Sequence, residues 1–135
     1  MAGSLIGLGH SENKCRTLES LGLCDLVVKV DASDALGCYE EISRLTNGRM
    51  ADLVINCTNI PDAEMASILM CRDGGTIYFF NMATSFTRAA LGAEGVGKDV
   101  RMIIGNGYTK GHAEFTLNIL RESKAIRELF ELRYC

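Results

Sequence analysis

ADLVINCTN, residues 51–59, sets the reading of the whole chain: after Asp52 an apolar, β-branched run leads straight into Asn56, Cys57, Thr58 and Asn59. A run with no polar alternation suits a strand buried on both faces, and such strands belong to parallel sheets. LIGLG at 5–9 and DLVVKV at 25–30 have the same character, and TIYFF at 76–80 and VRMIIG at 100–105 continue it. The gaps between these runs are each long enough for a helix and too long for a hairpin.

The gaps carry helix signals. Ser11 can accept a hydrogen bond from the free amides of a helix running to about 21, and Gly22 suits its left-handed end. In 34–46, Leu36, Tyr39, Ile42 and Leu45 recur at threes as the expected inward face, with Asn47-Gly48 as the stop. Pro61 is expected in the first turn of a helix carrying Met65, Ile68 and Leu69 inward. A short helix is expected at 85–91, with glycines at 92, 95 and 97 loosening the chain before the fifth strand. A helix at 111–122 with Phe115, Ile119 and Leu120 inward, then a segment at 125–132, close the chain. Alternating strands and helices close by right-handed crossovers, which makes the strands parallel with helices on both faces. The expected fold class is α/β, a three-layer parallel-sheet sandwich forming one domain over residues 1–135.

Composition narrows the partners. The chain has 135 residues, 47% hydrophobic and 23% charged, with a formal net charge of −3 and no Lys/Arg block, which argues against nucleic acid or an anionic membrane surface as partner. No apolar run approaches the roughly 20 residues that span a bilayer, and no secretory signal precedes the first strand. Six cysteines stand far apart with no C-x-x-C pair, so they read as reduced thiols of a cytoplasmic protein, and no metal site is expected.

In a parallel sheet ligands bind beyond the carboxyl ends of the strands. Here those ends read Gly9-His10-Ser11, Asp31-Ala32, Asn56-Cys57-Thr58-Asn59, Asn81-Met82-Ala83-Thr84-Ser85 and Gly105-Asn106-Gly107-Tyr108. Small, amide and hydroxyl side chains suit a ribose, a carboxamide or a phosphate. G-x-S-x-G is absent and no Ser/His/Asp or Cys/His grouping is legible, so no catalytic residue is assigned. Cys57 reads as a buried, inert thiol, and His112 as structural with a proton-carrier role as the alternative. The G-x-G-x-x-G turn of a dinucleotide site is missing, which is explained if the run at 5–9 is the second strand of a Rossmann-like sheet lacking its first strand and glycine-rich turn.

ADLVINCTNIPDAEMASIL, DGGTIYFFNMATSFTRAALGAEGVGKDV and RMIIGNGYTKGHAEFTLNILRES carry a resemblance along nearly the whole chain. With these stretches the sequence resembles the later part of the L-erythro-3,5-diaminohexanoate dehydrogenase family, relatives of the medium-chain zinc-type dehydrogenases. The resemblance implies an NAD(P)-dependent oxidoreductase of lysine fermentation that oxidatively deaminates the diamino acid to 5-amino-3-oxohexanoate. It also implies that the catalytic domain and the glycine-rich turn precede this stretch, so the isolated chain is expected to be inactive and to bind dinucleotide weakly or not at all. Its cofactor would be NAD or NADP. Gly9 stands where NAD-preferring relatives carry an acid, which leans the choice to NADP, with His10, Ser11 and Lys14 as phosphate contacts.

In the strand order 3-2-1-4-5-6 the missing strand is central. The flanking edges are expected to pair with each other or with another chain, and the edge at 100–105 offers a second route to a homo-oligomer. Two rival readings use the same layers: an S-adenosylmethionine-dependent methyltransferase, against which Gly9 counts, and a non-catalytic nucleotide-sensing module.

Overall fold

A computed structural model describes residues 3–104 and 108–135. Among them five strands and six helices alternate: β1 Ile6–Gly9, α1 Glu12–Leu21, β2 Leu26–Lys29, α2 Ala35–Leu45, β3 Ala51–Asn56, α3 Glu64–Met70, β4 Cys71–Phe79, α4 Phe86–Gly95, β5 Arg101–Ile104, α5 His112–Glu122 and α6 Lys124–Tyr134. Every pairing is parallel. The fold is therefore the expected α/β, Rossmann-like one.

Local chemistry explains the helix ends. Ser11 caps α1 by accepting from Lys14 N, and Gly22 ends it at φ 64°. Asp34 caps α2 by accepting from Gly37 N at 3.0 Å, and Ser85 caps α4 from Arg88 N at 3.3 Å. Each side-chain oxygen satisfies a backbone amide that the first helical turn leaves unpaired. The last carbonyls of α3 are met from far along the chain: Lys98 Nζ donates to the carbonyls of Ile68 at 3.1 Å, Leu69 at 2.8 Å and Cys71.

The strands form two sheets, β1-β2 and β3-β4-β5, and β1 does not pair with β3. The gap expected from the missing central strand is present, and of the two closures foreseen, pairing of the flanking edges with each other does not occur. One apolar cluster holds the halves together, and a second lies within the β3-β4-β5 half. Cys38 and Ile42 of α2 pack with Ala66 and Met70 of α3, joined by Ile6 and Val54. Ile68, Cys71, Ile77, Phe79, Ala89 and Ala93 form the second cluster, which Val54 also joins.

The two faces of the assembly are covered differently. Ile6 and Val54 point to the side of α2 and α3. On the other side of β1, a Cβ added at Gly7 would lie 2.8 Å from Cys24 Sγ and 3.6 Å from Leu18 of α1, and one at Gly9 would lie 2.7 Å from Cys15 Sγ. Thus α1 covers that face of β1 and β2, and glycine is required for it to sit so close.

Several expectations are corrected. In α2 the inward residues are Cys38 and Ile42, with Ala35 and Leu45 beside them, while Leu36 is 67% and Tyr39 41% exposed. At 100° per residue, nine positions turn a helix by half a revolution, so Leu36 and Leu45 cannot share a face. Helix α3 does not begin at Pro61, because Asp62 takes φ 67° and breaks the path. Helix α4 runs through Gly92, where a Cβ would stand 3.1 Å from Ile68 and 3.2 Å from Met65; this glycine is a contact point between α3 and α4. Phe115 is 68% exposed, and α5 packs chiefly on α6, with no residue of either helix buried.

Candidate functional site at the carboxyl ends of the strands

Asn56, the last residue of β3, is buried and is the hub of a polar cluster. Its Nδ2 donates to Ser67 Oγ at 2.9 Å and to the Ala63 carbonyl at 3.4 Å. Its Oδ1 accepts from Thr58 N at 3.1 Å, Thr58 Oγ1 at 3.0 Å and Asn81 Nδ2 at 2.9 Å. Asn81 passes the connection on, its Oδ1 accepting from Ala83 N at 2.9 Å and Thr84 Oγ1 at 2.8 Å. The backbone adds Phe80 N to the Asn56 carbonyl at 2.8 Å. An amide side chain offers two donor hydrogens and an acceptor oxygen, and here both ends of Asn56 are engaged, which fixes its orientation and the loops after β3 and β4.

A second strut links α3 to α4. Glu64 is 4% exposed, and its Oε1 accepts from Ser85 N at 2.6 Å, beside the ion pair of Asp62 with Arg88. Ser67 Oγ closes the pattern by donating to the Ala63 carbonyl at 2.9 Å. Sequence reasoning missed Glu64 and Ser67. The signal for Glu64, an acid in a first helical turn, reads as a partner of the helix dipole and carries no hint of burial.

With these groups bonded to one another, the side chains left at the rim are Cys57, Asn59 and Met82, the last 97% exposed. Cys57 is exposed, which corrects the expected burial, although partial desolvation of its sulfur still pushes the thiol up. All six cysteines are free.

At the end of β1, Gly9 is buried and its carbonyl accepts from Val30 N at 2.9 Å. The contact with Cys15 gives this glycine a packing reason beside the electrostatic one. His10 is exposed, and Ser11 holds the start of α1. After β2, Asp31 Oδ1 accepts from Ser33 Oγ at 2.6 Å and Ser33 N at 2.9 Å. The Ser33 hydroxyl first, then its amide and the nearby His10, hold the Asp31 carboxyl below its usual range. Ala32 next to it is half-buried. The structure therefore draws His10 and Asp31 toward each other at one half-sheet, and Asn56, Thr58, Asn81, Ala83 and Thr84 together at the other. Gly105, Asn106 and Gly107 lie outside the described residues.

His112 opens α5, with Nδ1 2.7 Å from the Thr109 carbonyl and its ring edge-on to Tyr108 at 5.1 Å between centroids. Among the described residues no three His, Cys, Asp or Glu side chains converge as a metal site requires, and no helix is long and apolar enough to cross a membrane.

Comparison with known proteins sharpens the assignment. The family model described as zinc-binding dehydrogenase matches residues 2–122. Over 132 residues, 98% of this chain, the sequence is 54% identical to L-erythro-3,5-diaminohexanoate dehydrogenase of Acetoanaerobium sticklandii and 42% identical to that of Fusobacterium nucleatum. The chain spans 38% of the length of either relative. A mycobacterial protein solved in complex with NADPH superposes with a TM-score of 0.56 at 18% identity, over 93% of this chain and 37% of that one. A mycobacterial quinone oxidoreductase superposes at 0.55 and 18% identity, over 74% of this chain and 30% of its own length. The methyltransferase reading finds no support among these matches.

Proposed function

The chain belongs to the zinc-binding dehydrogenase family, and from that premise we propose that it is the nucleotide-binding part of an NAD(P)-dependent amino dehydrogenase. Its substrate would be L-erythro-3,5-diaminohexanoate, deaminated oxidatively to 5-amino-3-oxohexanoate with release of ammonia. The observation that carries the reading is the 54% identity to an enzyme of that name along 98% of this chain. The geometry agrees with it, because amide and hydroxyl groups gather where a parallel sheet receives a nucleotide.

The bound nicotinamide would accept the hydride. The chain's own residues supply position. Asn56 and Asn81 fix the two loops through bonds among themselves, and the exposed Asn59 and Met82 border the nicotinamide half. His10, Ser11 and Lys14 lie at the start of α1, where a 2′-phosphate would meet amide N–H groups and positive charge, so NADP is the preferred nucleotide. Among the described residues no cluster of His, Cys, Asp or Glu could hold a zinc ion.

The test is a chimera in which this chain replaces the matching stretch of the Acetoanaerobium relative. Reduction of NADP⁺ dependent on 3,5-diaminohexanoate, with a kcat/KM at least tenfold above that for NAD⁺, is the expected result. A folded chimera that reduces neither nucleotide refutes the activity, and a preference for NAD⁺ refutes the phosphate site.

A further inference from the structure

The segment between β4 and α4, residues 80–85, is anchored at both ends. At the β4 end Asn81 bonds to Asn56 and gathers Ala83 N and Thr84 Oγ1 onto its own Oδ1. At the α4 end the anchor is Glu64, the first residue of α3, whose Oε1 accepts from Ser85 N. Met82, between the two anchors, stands in solvent.

The start of α4 shows why the second anchor is unusual. In a capping box the N-cap serine accepts from the third helical amide, and an acid at that third position reaches back to the N-cap amide. Ser85 does its half, accepting from Arg88 N. The third position is Arg88, which cannot accept, and it pairs with Asp62 instead. Glu64 supplies the missing acceptor from another helix. A cap completed inside α4 would fix that helix alone, whereas a cap divided between α3 and α4 ties the exit of the 80–85 segment to α3.

Of the two links from the start of α3, the one through Glu64 dominates. Asp62 and Arg88 keep 57% and 61% of their side chains in water, where an ion pair is screened and contributes little. Glu64 is almost fully buried, and its 2.6 Å contact with Ser85 N is the short bond of a charged acceptor, about twice as strong as a neutral one.

We propose that Glu64 is a positioning residue for the dinucleotide: acting through the Ser85 amide, it holds Met82, Ala83 and Thr84 at a fixed distance from the segment after β3, so that the nicotinamide half meets a preset wall. This rests on the dinucleotide-binding reading above and adds to it a residue on α3. Without the bond the segment samples other positions, and apparent affinity falls with the fraction that is competent to bind. Bound nucleotide restores the wall, so kcat holds while KM rises. A merely structural loss does the reverse, since fewer folded molecules lower the apparent kcat and leave KM alone.

The experiment uses the chimera described above, with NADP⁺ as the varied substrate. Glu64→Leu should raise its KM about fivefold with kcat held within about twofold. Glu64→Asp keeps the charge but falls a methylene short of Ser85 N, and should raise KM likewise; it decides the matter if the leucine variant does not fold. Glu64→Gln keeps an acceptor oxygen and should bring KM back toward the unsubstituted value. Asp62→Asn, which tolerates the same left-handed backbone, should leave KM as it was. Inhibition by adenosine monophosphate, which fills the other half of the site, should be unaffected by all four. In the full 135-residue chain, the Ser85 amide should be protected from hydrogen exchange and should lose that protection in Glu64→Leu. A lower kcat at constant KM overturns the inference, as does glutamine behaving like leucine, or a Ser85 amide unprotected in the unsubstituted chain. An unsubstituted chimera that uses no nucleotide overturns the dinucleotide reading itself and the inference with it, whereas a working chimera indifferent to Glu64→Leu and Glu64→Asp overturns the inference alone.

Discussion

Replacing Asn56 by leucine tests whether the polar cluster organises the strand ends. The substitution keeps the branching and heavy-atom count of the side chain while withdrawing five hydrogen bonds. Ser67 keeps its bond to the Ala63 carbonyl and Asn81 Nδ2 keeps a longer one to the Asn56 carbonyl, so they lose less than Thr58, whose amide and hydroxyl lose this partner. An unmatched buried polar group costs about 1–3 kcal/mol, and Thr58 is half-buried, which puts the sum near 3 kcal/mol. Burying the added apolar surface returns about 1 kcal/mol. The expected net loss is about 2 kcal/mol, read as a lower urea midpoint at unchanged slope by circular dichroism. The amides of Thr58 and Ala83 should be accelerated more than those of β1 and β2, which follow only the global loss. A loss below about 0.5 kcal/mol with both amides unaffected would show that the cluster does not set these loops.

Lys98→Met keeps the aliphatic stem but removes three donors from the last carbonyls of α3, and a destabilisation of about 2 kcal/mol is expected in the same urea assay, since bonds from a charged donor contribute more than neutral ones. An unchanged midpoint would mean water replaces the ammonium without loss. For Asp31 the folded pKa is depressed, so its stabilising effect is present above the unfolded carboxylate value and fades as the pH falls through the folded one. Carboxyl NMR titration should find its midpoint below the ordinary aspartate range, and Ser33→Ala should raise it more than His10→Ala does; the opposite order would contradict the cause assigned here.

Much of the fold was legible because it follows from local rules. Apolar runs gave the strands and their parallel pairing, and Ser11, Gly22, Asp34 and Ser85 acted at helix ends as their side chains or backbone freedom dictate. The strand-end residues were likewise readable, since position in a parallel sheet follows from the run itself. What escaped depends on contacts between distant segments. Glu64 is buried because α4 folds over it, 21 residues later, and Lys98 is a cap because its loop returns to α3. Gly92 looked like a helix breaker until the proximity of Ile68 and Met65 gave it a packing role. Counting by threes puts Leu36 and Tyr39 on the inward face of α2, whereas 3.6 residues per turn puts Ala35, Cys38, Ile42 and Leu45 there. A strand end suggests a buried Cys57, whereas the residue follows β3 in the loop and is exposed.

Val54 sits in both apolar clusters, and α3 supplies Ala66 and Met70 to one and Ile68 to the other. No backbone ladder joins the two half-sheets, so their thermodynamic coupling passes through this side chain and this single short helix. Loosening either half withdraws contacts from the other, and the chain should therefore melt cooperatively, as one unit, despite its divided sheet.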